Sequence, residues 1–356
     1  MIKKSALLVI ILAAAVHTNA QFAKYSNDFL TVGIGARSLG MANASVANVK
    51  DVTAGYWNPA GLSRMETTWD VAAMHAEYFA GIAKYDYLGV AKQINDRDII
   101  AGSMIRLGVD GIQNTTQIYD NDGNIDLDKI SKFSVADYAM IFSYAGKSVN
   151  KGLYYGANTK LIYRNIGKFA NAWGFGFDLG LQYQLNTWNF GATLKDATTT
   201  FNVWSFNDDA LEIEVMDSTF NKSPEDNLEL TSPTLILGSS KYFSIKNDFG
   251  ILAEINAAIT TDKRRNTLVS GEPFSIDPVL GLEFNYLQLA YLRMGIGNIQ
   301  EVPDFDKDIY TFQPNLGVGV HFKNIRIDYA LTDIGDQSAA LYSNIFSLRY
   351  SFDLEK

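Results

Sequence analysis

Short and long connections alternate between the strand-like segments of this chain, and this alternation constrains its fold more than any other feature. In about fourteen segments, apolar and polar residues alternate with the two-residue period of a half-buried β-strand. The segments cover residues 68–79, 84–93, 97–108, 133–147, 152–165, 170–184, 187–195, 234–243, 247–259, 275–286, 287–297, 312–322, 325–333 and 341–354.

The connections fall into two length classes. Tight turns are expected at Asn95-Asp96, Ser148–Lys151, Asn186-Thr187, Lys246-Asn247, Leu287 and Lys323-Asn324, and long connections at 109–132, 196–233, 260–274 and 298–311. Bacterial outer-membrane barrels have even strand numbers, short periplasmic turns and long extracellular loops. The sequence therefore predicts an all-β fold, an antiparallel transmembrane β-barrel of about 14 strands over residues 68–356.

Residues 1–20 are typical of a signal peptide. Two lysines precede an apolar run over residues 6–16, and the small residues Thr18 and Ala20 fit a cleavage site. The run is shorter than the roughly 20 residues of a membrane-spanning helix, and a buried N-terminal helix is the alternative. Cleavage removes both lysines, so the formal net charge changes from −9 to −11. We expect an acidic integral protein of the bacterial outer membrane, surrounded by lipid and not bound to nucleic acid.

The two faces of the predicted strands differ in polarity. In the last segment Phe346, Leu348, Tyr350 and Phe352 alternate with polar residues. Arg or Lys facing lipid at the bilayer midplane costs about 2–4 kcal/mol, so charged residues on the opposite face are expected in the lumen. They are Arg106, Asp137, Lys160, Arg164, Asp178, Glu254, Glu283, Arg293, Arg326, Asp328 and Arg349. Either they fill the lumen with salt bridges, or they serve selectivity or ligand binding.

Residues 21–67 precede the first predicted strand and lack its alternation. They are rich in small residues, as in "GIGARSLGMA" at 33–42 and "DVTAGYWNPAGL" at 51–62. Pro59 restrains Asn58 to an extended or turn conformation, in which its side chain can bridge backbone groups. Glycines at 174, 176 and 180 are expected to face the lumen, where a missing side chain lets another backbone approach. The sequence predicts that residues 21–67 form a hatch inside the barrel.

The pairing of "GARSLGMANASVA" with "DVTAGYWNPAGL" resembles the N-terminal hatch of FadL-like outer-membrane proteins, and within them the branch that contains PorV and PorQ of the type IX secretion system. The stretch "FSVADYAMIFSYAGK" at 133–147 and "GANTK" at 156–160 strengthen the PorV-like resemblance. The resemblance implies a fourteen-stranded barrel with a hatch. It marks as hatch motif the residues Gly35, Ala36, Arg37, Asn58, Pro59, Ala60 and Gly61.

The first long connection crowds oxygen ligands that suit calcium, namely Asp120, Asp122, Asn124, Asp126 and Asp128. An EF-hand loop has Gly at position six and a bidentate acid at position twelve. Counting from Asp120 places Gly123 at four and Ser131 at twelve, so a solvated acidic hairpin tip is the alternative. No other cofactor is expected, and the absence of cysteine excludes thiolate sites.

The connection at 196–233 mixes apolar and acidic residues and is the predicted partner-binding loop. Apolar side chains rimmed by charge can mark a protein contact, or they can simply cover the barrel mouth. The candidates are Phe201, Trp204, Phe206, Leu211 and Ile213. His75 and His321 lie in no nucleophile motif, and His321 is expected in the lumen, so the protein is not expected to be an enzyme.

Three functions follow from these patterns. The leading hypothesis, implied by the PorV-like resemblance, is a monomeric noncatalytic component of type IX secretion that contacts the translocon or exported cargo proteins. The alternative, implied by the wider FadL-like resemblance, is a channel for hydrophobic small molecules. A purely structural barrel is the third.

Overall fold

The computed structural model of the protein describes residues 26–120, 123–215, 218–220, 224, 226–246, 248–304, 307–332 and 342–353. The predicted signal peptide and Asp122 lie outside the described residues. Within those ranges the strands are β1 Trp69–Tyr78, β2 Ala83–Gln93, β3 Asp98–Asn114, β4 Ser131–Lys147, β5 Leu153–Ile166, β6 Ala170–Leu185, β7 Trp188–Lys195, β8 Thr200–Phe206, β9 Ile213–Val215, β10 Ser218–Phe220, β11 Leu228–Thr231, β12 Thr234–Ile245, β13 Phe249–Thr260, β14 Ser275–Tyr286, β15 Ala290–Asp304, β16 Lys307–Phe322, β17 Ile325–Thr332 and β18 Ser343–Phe352.

Fourteen strands close into one antiparallel ring. Strands β1 to β7 and β12 to β18 pair in chain order, β7 pairs with β12, and β18 pairs with β1. The tight turns after β2, β4, β6, β12, β14 and β16 lie at one end of the ring, the end expected to face the periplasm, and the long connections lie at the other. The predicted fold class, an all-β chain with a closed antiparallel barrel of 14 strands, is therefore confirmed.

The barrel wall above β7 is built by β8 and β11. Leu179–Leu185 of β6 pair with β7, whereas Ala170–Phe175 of the same strand pair with β8, and β11 pairs with the far side of β8. The chain turns between β7 and β8 at Asp196 and Thr199, whose φ angles are 54° and 63°. Part of the predicted loop 196–233 is thus barrel wall.

The helices are short, and most lie in the hatch. They are a 3-10 helix Asp28–Leu30, α1 Ala36–Leu39, α2 Ala54–Trp57, a 3-10 helix Pro59–Arg64, a 3-10 helix Leu127–Lys129 and α3 Asp208–Leu211. Among the described residues, no helix is long and apolar enough to cross a membrane.

The hatch crosses the lumen from end to end. At the extracellular side, Ser26 and Asn27 form hydrogen bonds with the hydroxyl of Thr231, at 2.7 and 2.8 Å. At the periplasmic side, the Thr68 backbone N–H donates to the Asp353 carboxylate at 2.7 Å, one residue before β1 begins. The hatch therefore extends along the length of the ring.

Lumenal glycines on neighbouring strands let the hatch backbone approach the wall. At each of them a Cβ atom would lie within 3.2 Å of a hatch atom, as at Gly295, where it would meet the Met41 carbonyl carbon at 2.3 Å. Of the three glycines expected to admit another backbone, Gly180 meets Asn58 and Pro59, whereas a Cβ at 174 or 176 would meet side chains of β8. The belt is Gly89, Gly156, Gly180, Gly191, Gly238, Gly281, Gly295 and Gly317.

Ten of the eleven charged residues expected in the lumen face it, and Arg106 does not. The lumenal faces of β2 and β3 are themselves apolar, because Tyr85, Tyr87 and Ile105 pack against the hatch in the main core cluster. Apolar residues thus occupy both faces of these strands, and alternation cannot assign their sides. Arg106 lies on the outer face beside Asp86, with its Nη1 3.4 Å from the Asp86 Oδ2.

Candidate functional site

The Asn58 side chain fastens the second half of the hatch motif to the wall. Its Nδ2 donates to the carbonyls of Val46 and Leu181 at 3.0 and 2.9 Å, while its Oδ1 accepts from the Ala60 N–H at 3.2 Å. Asn58 precedes Pro59, which suits the first position of a helix because it has no N–H to leave unsatisfied. The predicted role of Asn58 as a bridge between backbone groups matches this geometry.

The remaining motif residues also hold the hatch in place. Gly61 must lack a side chain, since a Cβ there would lie 2.2 Å from the Val49 carbonyl oxygen. The Ala36 N–H donates to the Ser347 hydroxyl of β18 at 2.8 Å, and Gly35 has a φ of 80°. The motif therefore explains why the hatch is seated and does not itself form a ligand site.

Arg37 anchors the first half of the motif through a buried ionic chain. Its Nε and Nη2 donate to the two carboxylate oxygens of Glu283 at 2.9 and 3.1 Å. Arg293, fully buried, contacts Glu283 at 2.6 Å and Asp328 at 2.8 Å. Burial opposes the charge on Arg37, yet the Glu283 carboxylate raises the pKa of the guanidinium above its ordinary value. The group therefore stays charged.

A second anchor lies toward the periplasm. The Arg349 guanidinium contacts Asp70 at 2.8 Å and Asp51 of the hatch at 3.3 Å, and Asp70 also accepts from the Val52 N–H at 3.1 Å. Although burial alone would raise it, Arg349 and the Thr53 hydroxyl hold the pKa of Asp51 below its ordinary value. Lumenal charges therefore form salt bridges that fasten the hatch, as one of the two sequence interpretations predicts.

Above the hatch lies a cavity of about 860 Å³ whose two sides differ in polarity. Apolar side chains of the hatch and of strands β1 to β4 line one side, namely Leu30, Val32, Tyr78, Leu107, Val109 and Ile141. Polar side chains of β11 to β16 line the other, among them Thr231, Thr234, Asn256, Thr260, Gln313 and Asn315. A cavity with this lining suits an amphipathic molecule.

Tyr56, Trp57 and Lys195 line the same cavity. The two rings pack edge to face with centroids 4.8 Å apart, and the Lys195 Nζ lies 4.1 Å from the Tyr56 ring centroid. The neighbouring Lys160 is neutralised by Asp178 and Asp196, at 2.8 and 2.5 Å. Lys195, in contrast, has no carboxylate oxygen within 4.0 Å among the described residues. Its ammonium is therefore available to an anionic group in the cavity.

The cavity reaches the barrel wall where β14 and β15 separate. These strands pair from Tyr286–Ala290 up to Leu280–Ile296. Beyond that point no pairing joins them within the described residues, and Val279 and Gly297 face each other as lining of the cavity. The register of β15 against β16 also shifts between Gly297 and Gln300, as in a β-bulge. We call this gap the β14–β15 window.

The connection between β13 and β14 closes the top of the window. Asn266 donates to the Glu301 carbonyl at 3.0 Å and accepts from the Glu301 N–H at 3.1 Å. Val269 pairs with Ile276 on the edge of β14 that faces away from β13. Hydrogen bonds of the loop thus replace the strand pairing at Ile276, whereas residues 277–279 of β14 have no backbone pairing with β15.

The acidic residues of the predicted calcium site accept hydrogen bonds from backbone N–H groups of their own loop. Asp120 accepts from the Asn124 N–H at 2.8 Å, and Asp126 accepts from the Asp128 N–H at 3.0 Å. Outside the undescribed segments, no group of three His, Cys, Asp or Glu side chains is placed to hold a metal ion. Because Asp122 lies outside the described residues, calcium binding stays a prediction.

The candidates of the predicted partner-binding loop do not share one surface. Phe201 points outward from β8, opposite Phe175 of β6, and belongs to the lipid-facing wall. Trp204 is half-buried on the other face, where its Nε1 donates to Glu229 at 2.7 Å, and Phe206 stacks beside it with ring centroids 6.2 Å apart. Leu211 ends α3. Ile213 lies in β9, and its side chain is outside the described atoms.

Sequence reasoning missed the cavity residues. Tyr56 and Trp57 directly precede Asn58 of the hatch motif, and Lys195 ends the seventh predicted segment. The motif draws attention to Asn58 and Pro59, and nothing in the sequence brings Lys195 to the aromatic pair. Only the seating of the hatch in the ring does so.

No family model matches the chain, and no curated protein matches it significantly. Solved structures do match over nearly their whole length. The monoaromatic hydrocarbon channel CymD has a TM-score of 0.56 at 14% identity, covering 91% of this chain and 99% of that one. The P. putida toluene transporter TodX has a TM-score of 0.55 at 15% identity, covering 91% of this chain and 99% of that one. The Ralstonia pickettii toluene transporter TbuX has a TM-score of 0.55 at 14% identity, covering 90% of this chain and 98% of that one. The chain therefore shares the fold of these hydrocarbon channels.

Proposed function

We propose that the protein is an outer-membrane channel that takes up small amphipathic molecules from outside the cell. The observation that supports this proposal is the 860 Å³ cavity above the hatch. The cavity has an apolar side, a polar side and the ammonium of Lys195, which is not in an ion pair. Its volume lies within the range of small-molecule sites. The alternative drawn from the FadL-like resemblance is thus better supported than the leading secretion hypothesis.

The ligand is expected to lie with its apolar body against β1 to β4 and its polar end toward Lys195 and β12 to β16. An ion pair between the polar end of the ligand and Lys195, shielded from water, would favour this orientation. Contacts of the ligand with the rings of Tyr56 and Trp57 would favour it as well. The seated hatch blocks a straight path along the barrel axis, so the ligand leaves sideways. The β14–β15 window supplies the route, because there the wall lacks backbone pairing and borders the cavity.

Replacing Lys195 with methionine should weaken binding of a medium-chain alkyl carboxylate about tenfold, which corresponds to about 1.4 kcal/mol. Binding of a neutral aromatic hydrocarbon should not change, since the apolar side is intact. Calorimetry in nanodiscs measures both. Lys241→Met is the matched control, because its Nζ also lies over an aromatic ring, 4.9 Å from the Trp188 centroid, but does not line the cavity. Equal weakening in both variants, or none in Lys195→Met, would refute the assignment.

A disulfide across the window should stop transport and leave binding intact. A Cβ at Gly297 would lie 3.6 Å from the Val279 Cβ, which is within the range for a disulfide, and the sequence has no other cysteine. In vesicles, the oxidised Val279→Cys/Gly297→Cys variant should carry ligand into the lumen at least tenfold more slowly than the reduced form. The two single cysteine variants control for side-chain size. Full transport by the oxidised form would exclude this route.

The second candidate is a role in type IX secretion, favoured by the PorV-like stretches at 133–147 and 156–160. These stretches lie in β4 and β5, where Ser143 and Asn158 face α2 of the hatch, and such contacts are compatible with either function. Deletion of the gene separates the candidates. Loss of surface-attached cargo with unchanged uptake would favour secretion. Loss of uptake with unchanged surface attachment of cargo would favour the channel.

A further inference from the structure

One carboxylate of the cavity has no partner in the part of the chain that the structure describes. Five carboxylates line the cavity, namely Asp28, Asp178, Asp196, Asp262 and Asp277. Asp178 and Asp196 neutralise Lys160, Asp262 accepts from the Arg265 Nε at 2.9 and 3.1 Å, and Asp28 is exposed. Asp277 is half-buried, and its Oδ1 is buried without a hydrogen-bond donor.

The strand end around Asp277 supplies it with no cation. Asp277 follows Ser275 on the lumenal face of β14, and the Ser275 hydroxyl accepts from the Arg265 N–H at 2.9 Å. The guanidinium of Arg265 is held by Asp262. Among the described residues, no Lys, Arg or His nitrogen lies within 4.0 Å of the Asp277 carboxylate. The carboxylate is therefore open to a ligand in the cavity.

A second oxygen without a partner lies beside Asp277. Thr260 of β13 is opposite Ser275, and Asp277 is the next lumenal residue along β14, so the two are diagonal neighbours about 7–8 Å apart. The Thr260 Oγ1 is also buried, lines the cavity and makes no hydrogen bond within the described residues. A carboxylate accepts hydrogen bonds and cannot donate them. The two oxygens therefore fit a ligand group with several donors, such as a protonated amine.

Lys195 and Asp277 lie at the two ends of the polar side of the cavity. Lys195 of β7 is opposite Thr234 of β12, and Thr234 is opposite Thr260 of β13. Asp277 lies one strand farther, on β14. Three strand spacings of about 4.8 Å place the two residues roughly 15 Å apart along the wall. An extended dodecyl chain is of similar length, so one ligand can reach both charges.

We propose that the ligand carries a charge at each end, with a carboxylate at Lys195 and a protonated amine at Asp277. The inference rests on the channel function proposed above and narrows its substrate class to long-chain ω-amino carboxylates. An ammonium adds Coulomb attraction to the hydrogen bonds that a neutral donor would also make with Asp277. Asp277 and Val279 line the cavity from the part of β14 that borders the β14–β15 window. The amine end therefore faces the exit.

Calorimetry in nanodiscs with two ligands of equal chain length tests the proposal. The wild type should bind ω-aminododecanoate at least tenfold more tightly than dodecanoate. Asp277→Asn should abolish this preference and leave the affinity for dodecanoate unchanged. Asp110→Asn is the charge-matched control and should keep the preference, because Asp110 is 56% exposed on β3 and does not line the cavity. A wild type without preference, as expected if water alone hydrates Asp277, or equal loss of both ligands in Asp277→Asn would overturn the proposal.

A charge reversal separates recognition from a structural role. Asp277→Lys should bind dodecanedioate more tightly than ω-aminododecanoate, the opposite of the wild type, because both ends of its polar side are then cationic. The wild type should bind ω-hydroxydodecanoate more weakly than the amine, and equal binding of the two would overturn the ionic assignment. Saturable binding of dodecanoate without a preference for the amine would reject only this substrate class. Absence of binding of all four ligands would reject the channel and this inference together.

Discussion

Gly295→Val should unseat the hatch and lower the free energy of unfolding by about 3 kcal/mol, at the upper end of the usual cost of overpacking. A Cβ at this position would lie 2.3 Å from the Met41 carbonyl carbon and 2.5 Å from the Ala42 nitrogen. These are backbone atoms, and the same hatch turn is also confined by Gly281 and Gly317, so it cannot move aside. Urea unfolding in vesicles gives the stability, and proteolysis of the hatch gives its seating.

Gly102→Val is the matched control for that experiment. A Cβ at Gly102 meets nothing within 4 Å, and the residue lies in the middle of β3. Valine also favours a strand over glycine. We therefore expect a stability equal to or above that of the wild type. If both variants lost the same stability, backbone propensity and not the hatch contact would explain the effect, and a stable Gly295→Val with a protected hatch would contradict the packing account.

Arg293→Met should cost about 3–5 kcal/mol, the usual result of removing one partner from a buried ion pair. Arg293 is fully buried and joins Glu283 to Asp328. Without it, the buried Asp328 carboxylate has no cationic nitrogen within 4.0 Å among the described residues, and Arg37 alone neutralises Glu283. The hatch should also become more sensitive to protease, since Glu283 is the wall end of the Arg37 anchor. Urea unfolding followed by tryptophan fluorescence measures the loss.

The double variant Arg293→Met/Asp328→Asn tests this explanation, because it removes the stranded charge as well. It should recover more than half of the lost stability. Lys50→Gln is the exposed control, since Lys50 and Glu66 are 49% and 75% exposed and such pairs contribute about 0–1 kcal/mol. An Arg293→Met protein as stable as Lys50→Gln would contradict the buried ionic chain.

The strands could be predicted because alternation and turns are local properties. Segments predicted at 170–184 and 275–286 correspond to β6 Ala170–Leu185 and β14 Ser275–Tyr286. The largest differences lie in β15, which continues to Asp304, and in β16, which begins at Lys307. There acidic residues such as Glu301 and Asp308 interrupt the apolar pattern, although the exposed Tyr310 and Phe312 continue it.

The sequence could not predict which face of β2 and β3 turns to the lumen, and it could not predict the cavity. Both depend on how the hatch sits in the barrel. Arg106 was wrongly expected in the lumen, since Ile105 faces the hatch and makes the lumenal side look like a lipid side. Lys195 gains its aromatic neighbours only when the hatch turns at Tyr56 and Trp57. A motif such as "NPAG" therefore predicts a seated hatch, and the hatch then creates the site.

The hatch motif also explains why sequence resemblance could not choose between functions. Asn58, Gly61 and Arg37 all contact the wall or the hatch itself. Such residues serve any barrel that must hold a plug, whether it moves small molecules or binds exported proteins. The proposed function rests instead on the cavity and the β14–β15 window.

Binding of an amphipathic ligand in the cavity tests the central claim most directly. Calorimetric titration of the protein in nanodiscs with a medium-chain alkyl carboxylate should give one saturable site per barrel. Ala258→Trp fills the cavity from β13 and should abolish this site, while Ala192→Trp, on β7 and outside the cavity lining, should retain it. Absence of saturable binding, or equal binding by the two tryptophan variants, would contradict the channel proposed for this protein.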